Sequence, residues 1–185
     1  MMDSLLDTLG AMVLASLFIL TVYNATFNVQ ATAYDSRQQI TLTKVSEEVA
    51  NALDDNYMSI VGAGINNNKI VIAEPSRFKF RGIFSQSPAE ISLVEIVQDD
   101  SVATKGYPLR VYKNNNLEMG PFWLADSLKF TYYNKNEEET TDRTEIHSVK
   151  VEMELFYDSF TAESGVSKVR NKIVFWEYFK NIYLQ

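Results

Sequence analysis

From Thr8 to Tyr34 the chain carries no charged residue, a run of about 27 positions. Between Leu9 and Val22 only Gly10, Ser16 and Thr21 interrupt a text of Leu, Ile, Val, Met, Ala, Phe. Wound as a helix, the run spans about 40 Å, more than the ~30 Å hydrocarbon core of a bilayer. Its apolar residues fall on every side, unlike the single stripe of a helix that covers a core. The pattern therefore predicts a membrane-crossing helix over residues 1–34. A secretory signal peptide is the competing reading, but the basic n-region is missing and "NATFNVQATAYDS" offers only a weak small-residue cleavage site.

The helical signal continues beyond the apolar run. "DSRQQITLTKVSEEVANALDD" holds no Gly or Pro, and Leu42, Val45, Val49 and Leu53 follow one another at steps of three, four and four. That spacing paints one helical face apolar. The intervening "NATFNVQATAY" is polar yet has no breaker. The simplest prediction is one unbroken helix of about 50 residues, near 75 Å long. Its continuation over residues 35–55 is amphipathic, and a rod so far above the mean helix length needs partners along its run.

After "DDNYMS" the period changes from helical to alternating. "NKIVIAE", "RFKFRGIF", "EISLVEIVQ" and "LKFTYYN" are short, β-branched or aromatic, and bounded by Asn, Pro and Gly. "LRVYKNNNLEMG" reads as a hairpin across Asn114 to Asn116. In "HSVKVEMELFYD", Val149, Val151, Met153 and Leu155 alternate with Lys150, Glu152 and Glu154, the mark of a half-buried strand. "KVRNKIVFWEYFKNIY" is expected to close the chain as a long aromatic strand. Strands joined by short turns imply an antiparallel sheet over residues 56–185. The stripe Leu42, Val45, Val49, Leu53 is the available lid for one of its faces. The fold class expected is α+β, a long N-terminal helix on an antiparallel head.

Composition narrows the function classes. A formal net charge of -7 argues against nucleic acid, which needs clustered Lys and Arg. It equally disfavours electrostatic docking on an anionic membrane surface. Cysteine is absent, which removes thiol catalysis, disulfides and thiolate metal sites. Hydrophobic content of 46% is enough for a real core.

The layout resembles that of type IV pilins and of the pseudopilins of type II secretion. "LLDTLGAMVLASLFIL" looks like the assembly helix of that superfamily, with Asp7 where the family keeps a glutamate. "WLADSLKFTYYNKNEEE" leading to "EIHSVKVEMELF" resembles the sheet of the larger minor pilins and minor pseudopilins. "VSKVRNKIVFW" resembles their closing strand, where an Arg-Asn pair, here Arg170 and Asn171, recurs. The family's precursor has a basic leader ending in Gly, then Phe, then glutamate four residues on. Met2, Asp3 and Asp7 stand in those places, with no Lys or Arg before Arg37. Either this is a divergent branch that skips leader cleavage and N-methylation, or the likeness is architectural alone.

The resemblance implies a membrane-held, non-enzymatic subunit of a pilus-like or pseudopilus filament. Its partners are copies of itself or other pilin-like subunits, and membrane lipid. Before assembly its place is the cytoplasmic membrane, single-pass, with the head extracytoplasmic. It also gives Asp7 a role, neutralising the N-terminal amine of a neighbour and so setting assembly register; the alternative is that Asp7 simply sits at the water interface. Gly10, Ala11 and Ala15 offer small surfaces for close helix–helix approach. A single-pass protein whose head binds a partner without polymerising is the rival reading.

Enzyme chemistry finds little to use. His147 is the only histidine, at the start of a strand. Glu152 and Glu154 share a strand face and read as solvated. "GAGINNNK" at Gly62 to Lys69 lacks the spacing of a phosphate loop and a following helix. "NAT" at Asn24 is a glycosylation match on the long helix, a chance one. The acidic run Glu137, Glu138, Glu139, Asp142 and Glu145 is the one candidate for calcium. It lacks the alternating spacing of a defined calcium loop, so a solvated hairpin tip is the better reading and no cofactor is expected. No small-molecule substrate is implied. Phe175, Trp176, Tyr178, Phe179 and Tyr183 fall on both faces of the last strand, which implies partial burial with an edge left for contact.

Overall fold

The protein is described from a computed structural model. It describes all residues except Met1, Ser87, Pro88, Ala103, Thr104, residues 159–167, Leu184 and Gln185. Val166 and Ser167 of the closing-strand motif lie outside the described residues.

The molecule is α+β. Helix α1 runs Met2–Asn51 without interruption, and one π turn (Ala52–Tyr57) and one 3-10 turn (Met58–Ile60) carry it on. Eight strands follow: β1 Ile70–Glu74, β2 Arg77–Gln86, β3 Ala89–Gln98, β4 Tyr107–Lys113, β5 Asn116–Leu124, β6 Lys129–Tyr133, β7 Ser148–Asp158 and β8 Lys168–Tyr178. A short helix α2, Lys180–Tyr183, comes last. Two compact units result. One holds Met1–Ile40 with Asp158–Val169; the other holds Thr41–Tyr157 with Arg170–Gln185.

Within the second unit the sheet is an antiparallel meander from β1 to β5, continued by β7. Along β7, β5 pairs Leu124 with Leu155 and β6 pairs Lys129 with Glu152, so β5 and β6 follow each other on that strand. β8 also pairs with β7. The sheet curls back on itself. Phe130 N–H donates to the Pro75 carbonyl at 2.8 Å, and the Tyr132 hydroxyl donates to the Glu74 carbonyl at 2.9 Å, tying β6 to the β1 end.

Alternation builds the core. Phe78 and Phe80 of β2, Val94 and Ile96 of β3, Leu109 and Val111 of β4, and Val149, Val151, Met153 and Leu155 of β7 all turn to the buried side. Phe78 lies 4.9 Å from Phe80, 5.5 Å from Tyr132 and 5.8 Å from Phe130, ring centre to ring centre. The β4–β5 hairpin turns on Asn114 and Asn115, both at positive φ (52° and 67°), as a two-residue primed turn requires. Asn114 also extends β3: its N–H donates to the Leu93 carbonyl, and its Oδ1 accepts from Leu93 N–H.

The end of the long helix seats on β2. Gly82 lies directly beneath the Ile60 carbonyl oxygen, so that any side chain there would meet backbone. Tyr57 packs edge-on against Phe84, ring centres 6.0 Å apart.

One expected element differs. The closing strand stops at Tyr178 instead of running to Tyr183, and α2 follows. Phe179 is the cause. It is fully buried, stacks on Phe78 at 5.8 Å, and its N–H donates to the His147 carbonyl, which turns the chain off the sheet.

Candidate functional site

Three features stand apart from simple core packing: the exposed rod, the outer face of β6–β7–β8, and the junction where the helix ends.

On the rod, the apolar side chains of Leu6 to Val29 point outward, with Leu14 69% and Phe18 71% exposed. One helix is thus long and apolar enough to cross a membrane. Three of its hydroxyls are satisfied without water. Ser16 Oγ donates to the Met12 carbonyl and Thr21 Oγ1 to the Leu17 carbonyl, both at 2.8 Å, and Thr26 does the same to Val22 at 2.9 Å. Backbone-satisfied hydroxyls remove the main cost of placing them in hydrocarbon. Asp7 is exposed near the start of this surface, and Ala11 and Ala15 are exposed with it. Gly10 faces open space, since a Cβ there would meet nothing within 4 Å.

The stripe expected to cover the sheet is graded. Leu42, Val49 and Leu53 are buried, at 1%, 2% and 0% exposure, whereas Val45 is half-buried. Ser46, between the apolar positions of the stripe, is fully buried with Oγ unpartnered. A small polar residue gives no apolar signal, so spacing alone did not mark it.

The outer face of β7 holds an ionic lattice. Glu152 takes Lys150 at 2.9 Å and Lys172 of β8 at 3.0 Å, and Arg170 approaches Glu154 at 3.5 Å. The two lysines hold the Glu152 carboxyl well below its usual 4.5, at about 2. β8 alternates, with Lys172, Val174, Trp176 and Tyr178 outward and Ile173, Phe175 and Glu177 half-buried on the other side. Trp176 stacks on Tyr133 of β6 at 4.3 Å and on Tyr178 at 5.9 Å. Tyr183 packs edge-on against His147 at 5.0 Å.

The acidic run forms the exposed tip after β6. Three of its carboxylates are taken up by partners within the protein. Glu137 accepts from the Tyr178 hydroxyl at 3.1 Å, and Glu138 accepts from Asn134 Nδ2 at 3.1 Å. Asp142 accepts from Thr144 N–H and Oγ1, which lowers its carboxyl below the usual range. Glu139 is exposed, and its main chain forms an isolated antiparallel β-bridge with Tyr133. Among the described residues no group of three or more His, Asp or Glu is placed to hold a metal. His147 Nδ1 lies 2.7 Å from the Glu145 carbonyl oxygen, so that nitrogen carries the proton. The "GAGINNNK" loop borders an open cleft of about 330 Å³ lined by Asn66, Asn67, Asn68, Lys69, Arg143 and Thr144.

At the junction the helix end meets the C-terminal segment. Asn181 Nδ2 donates to the Ser59 carbonyl at 2.9 Å and reaches the Val61 carbonyl at 3.4 Å. Burial first, then the neighbouring Asp54 carboxyl of the π turn, push the Glu177 carboxyl up to about 7. Nothing in the local pattern marks the neighbourhood of these two carboxyls, which lie more than a hundred positions apart.

No protein-family model, curated protein or solved structure matches the chain.

Proposed function

We propose that this chain is a non-enzymatic subunit of a type IV pilus-like or pseudopilus filament, held in the membrane before assembly with its head on the extracytoplasmic side. The observation that supports the reading is the contrast along one continuous helix. Its first part is apolar and exposed all round, and its last turns carry a single buried stripe in an antiparallel head. A surface of that kind needs lipid or other helices as its solvent. In the bilayer it is stored; drawn out of the bilayer, it forms a filament core with copies of itself or similar subunits. The sheet then decorates the outside. Asp7 at the rim sets register, because a carboxylate surrounded by helices is tolerated only when paired with a cation such as a neighbour's amine. No cofactor enters this role.

The test is incorporation. Full-length protein expressed in membranes is expected to yield filaments, or to co-purify with them, by negative-stain microscopy. Asp7→Lys is expected to abolish incorporation while circular dichroism of the head stays unchanged. Filaments formed normally by Asp7→Lys would remove the register role, and protein that stays monomeric under every condition would favour the non-polymerising membrane anchor.

A further inference from the structure

The cleft of about 330 Å³ at the start of β1 has two walls, and the fold fixes both. One wall is the loop from Asn66 to Lys69. Its end is clamped to β2: the Lys69 carbonyl accepts from Arg81 N–H at 2.8 Å, and the Arg81 carbonyl accepts from Gly62 N–H at 2.9 Å. The Lys69 stem rests on the bare backbone of Gly62, where an added Cβ would lie 3.1 Å from Lys69 Cδ. The other wall is the turn at Asp142. There Asp142 Oδ1 accepts from Thr144 N–H at 2.9 Å and from Thr144 Oγ1 at 2.7 Å. Arg143 donates through Nη1 to the Val71 carbonyl of β1, which ties its guanidinium to the cleft.

The lining departs from the rest of the chain in charge. The sequence has 24 acidic residues against 17 basic ones, yet no Asp or Glu lines the cleft, whereas Lys69 and Arg143 both do. Elsewhere on the head cations are neutralised, Arg77 and Lys79 by Glu95, Arg110 by Asp99, and Lys172 by Glu152. Among the described residues neither Lys69 nor Arg143 makes a salt bridge, and the Asp142 carboxyl beside Arg143 in the chain is taken by Thr144. Two held cations without a counter-charge are a receptor for an oxyanion, and a guanidinium that gives one N–H to Val71 keeps others for a ligand. Beside them stand the exposed amides of Asn66, Asn67 and Asn68. An amide is both donor and acceptor, the complement of a hydroxyl, whereas a phosphate ion offers mainly acceptors and leaves the amide oxygens unmatched.

We propose that this cleft binds a small hydroxylated carboxylate, a sugar acid in chemical class, with its carboxylate on Lys69 and Arg143 and its hydroxyls on the amides of Asn66 to Asn68. The volume is at the small end of ligand sites, which suits a single ring. The site lies wholly in the head and stands whether or not the chain polymerises.

The experiment titrates nitrogen-15-labelled full chain in detergent micelles, with glucuronate as the probe. Glucose serves as the same ring without the carboxylate, and inorganic phosphate as the anion without the ring. Glucuronate is expected to move the Asn66 to Lys69 amide signals and the Arg143 Nε–H signal saturably, in the millimolar range. Glucose and phosphate are each expected to bind about tenfold more weakly or less, and Lys69→Gln and Arg143→Gln each to weaken glucuronate by about tenfold. Binding is expected to weaken further as salt is raised. The absence of saturable shifts would overturn the site, as would shifts unchanged in both variants. Glucose binding as well as glucuronate would remove the role of the cations, and phosphate binding as well would remove the sugar-acid assignment; either result defeats the proposal. Should Arg143→Gln fail to fold through loss of its Val71 tether, Lys69→Gln still decides: undiminished glucuronate binding there sinks the site.

Discussion

Gly82 illustrates how a single missing side chain positions a whole element. It sits under the Ile60 carbonyl, so Gly82→Ala forces the helix end off β2. That neighbour is backbone, which has little room to yield, and a loss of about 2 kcal/mol or more is expected in urea melts. Phe78 touches Phe80, Phe130, Tyr132 and Phe179 and is fully buried. Phe78→Ala is expected to cost about 3–5 kcal/mol, read by the same melts. Glu95 shows charge at work. Burial opposes its ionised form, but Lys79 at 2.8 Å and Arg77 at 2.5 Å outweigh burial and lower its carboxyl below the ordinary 4.5. A lowered acid contributes stability that is present above its unfolded value and lost as pH falls through the folded one. Glu95→Gln should therefore destabilise at neutral pH and flatten the acid limb of a stability-versus-pH curve; an acid limb as steep as in the natural chain would remove this assignment.

At the scale of elements, the graded stripe on the long helix makes its own prediction. Leu53 is fully buried and Val45 only half so. Leu53→Ala is expected to cost about 2–5 kcal/mol, against about 1 kcal/mol or less for Val45→Ala, compared by denaturant midpoints. Equal costs would mean that the stripe packs differently. The long helix, the seven earlier strands and the Asn114–Asn115 hairpin were legible because each has a local cause: period, breaker or turn chemistry. The end of β8 was not. "FWEYFKNIY" alternates well enough for a strand, and only the pull of Phe179 into the Phe78 cluster bends it away. That is a tertiary contact a hundred residues distant in sequence, where local pattern has no reach.

For the whole molecule, the division into two units separates solubility from folding. The unit formed by Thr41–Tyr157 and Arg170–Gln185 contains the buried core, whereas the exposed apolar residues Leu6 to Val29 lie in the other. A chain shortened to begin at Thr41 is expected to be a folded monomer in plain buffer, and the full chain to require detergent. Light scattering coupled to gel filtration, with circular dichroism as the fold check, decides it; aggregation of the shortened chain would show that the head needs the rod.

The amino-acid sequence by itself determined that the chain starts as an apolar rod, that the rod gains one sticky face, and that an antiparallel sheet follows. Periods of 3.6 and 2 and the lack of charge are properties of neighbours along the chain. Only the tertiary structure decided that β6 continues β5 along β7, that the sheet curls until β6 meets the β1 end, and that Asn181 caps the end of the long helix. Those depend on which distant surfaces bury one another, and burial is a property of the packed molecule and not of any stretch of its text.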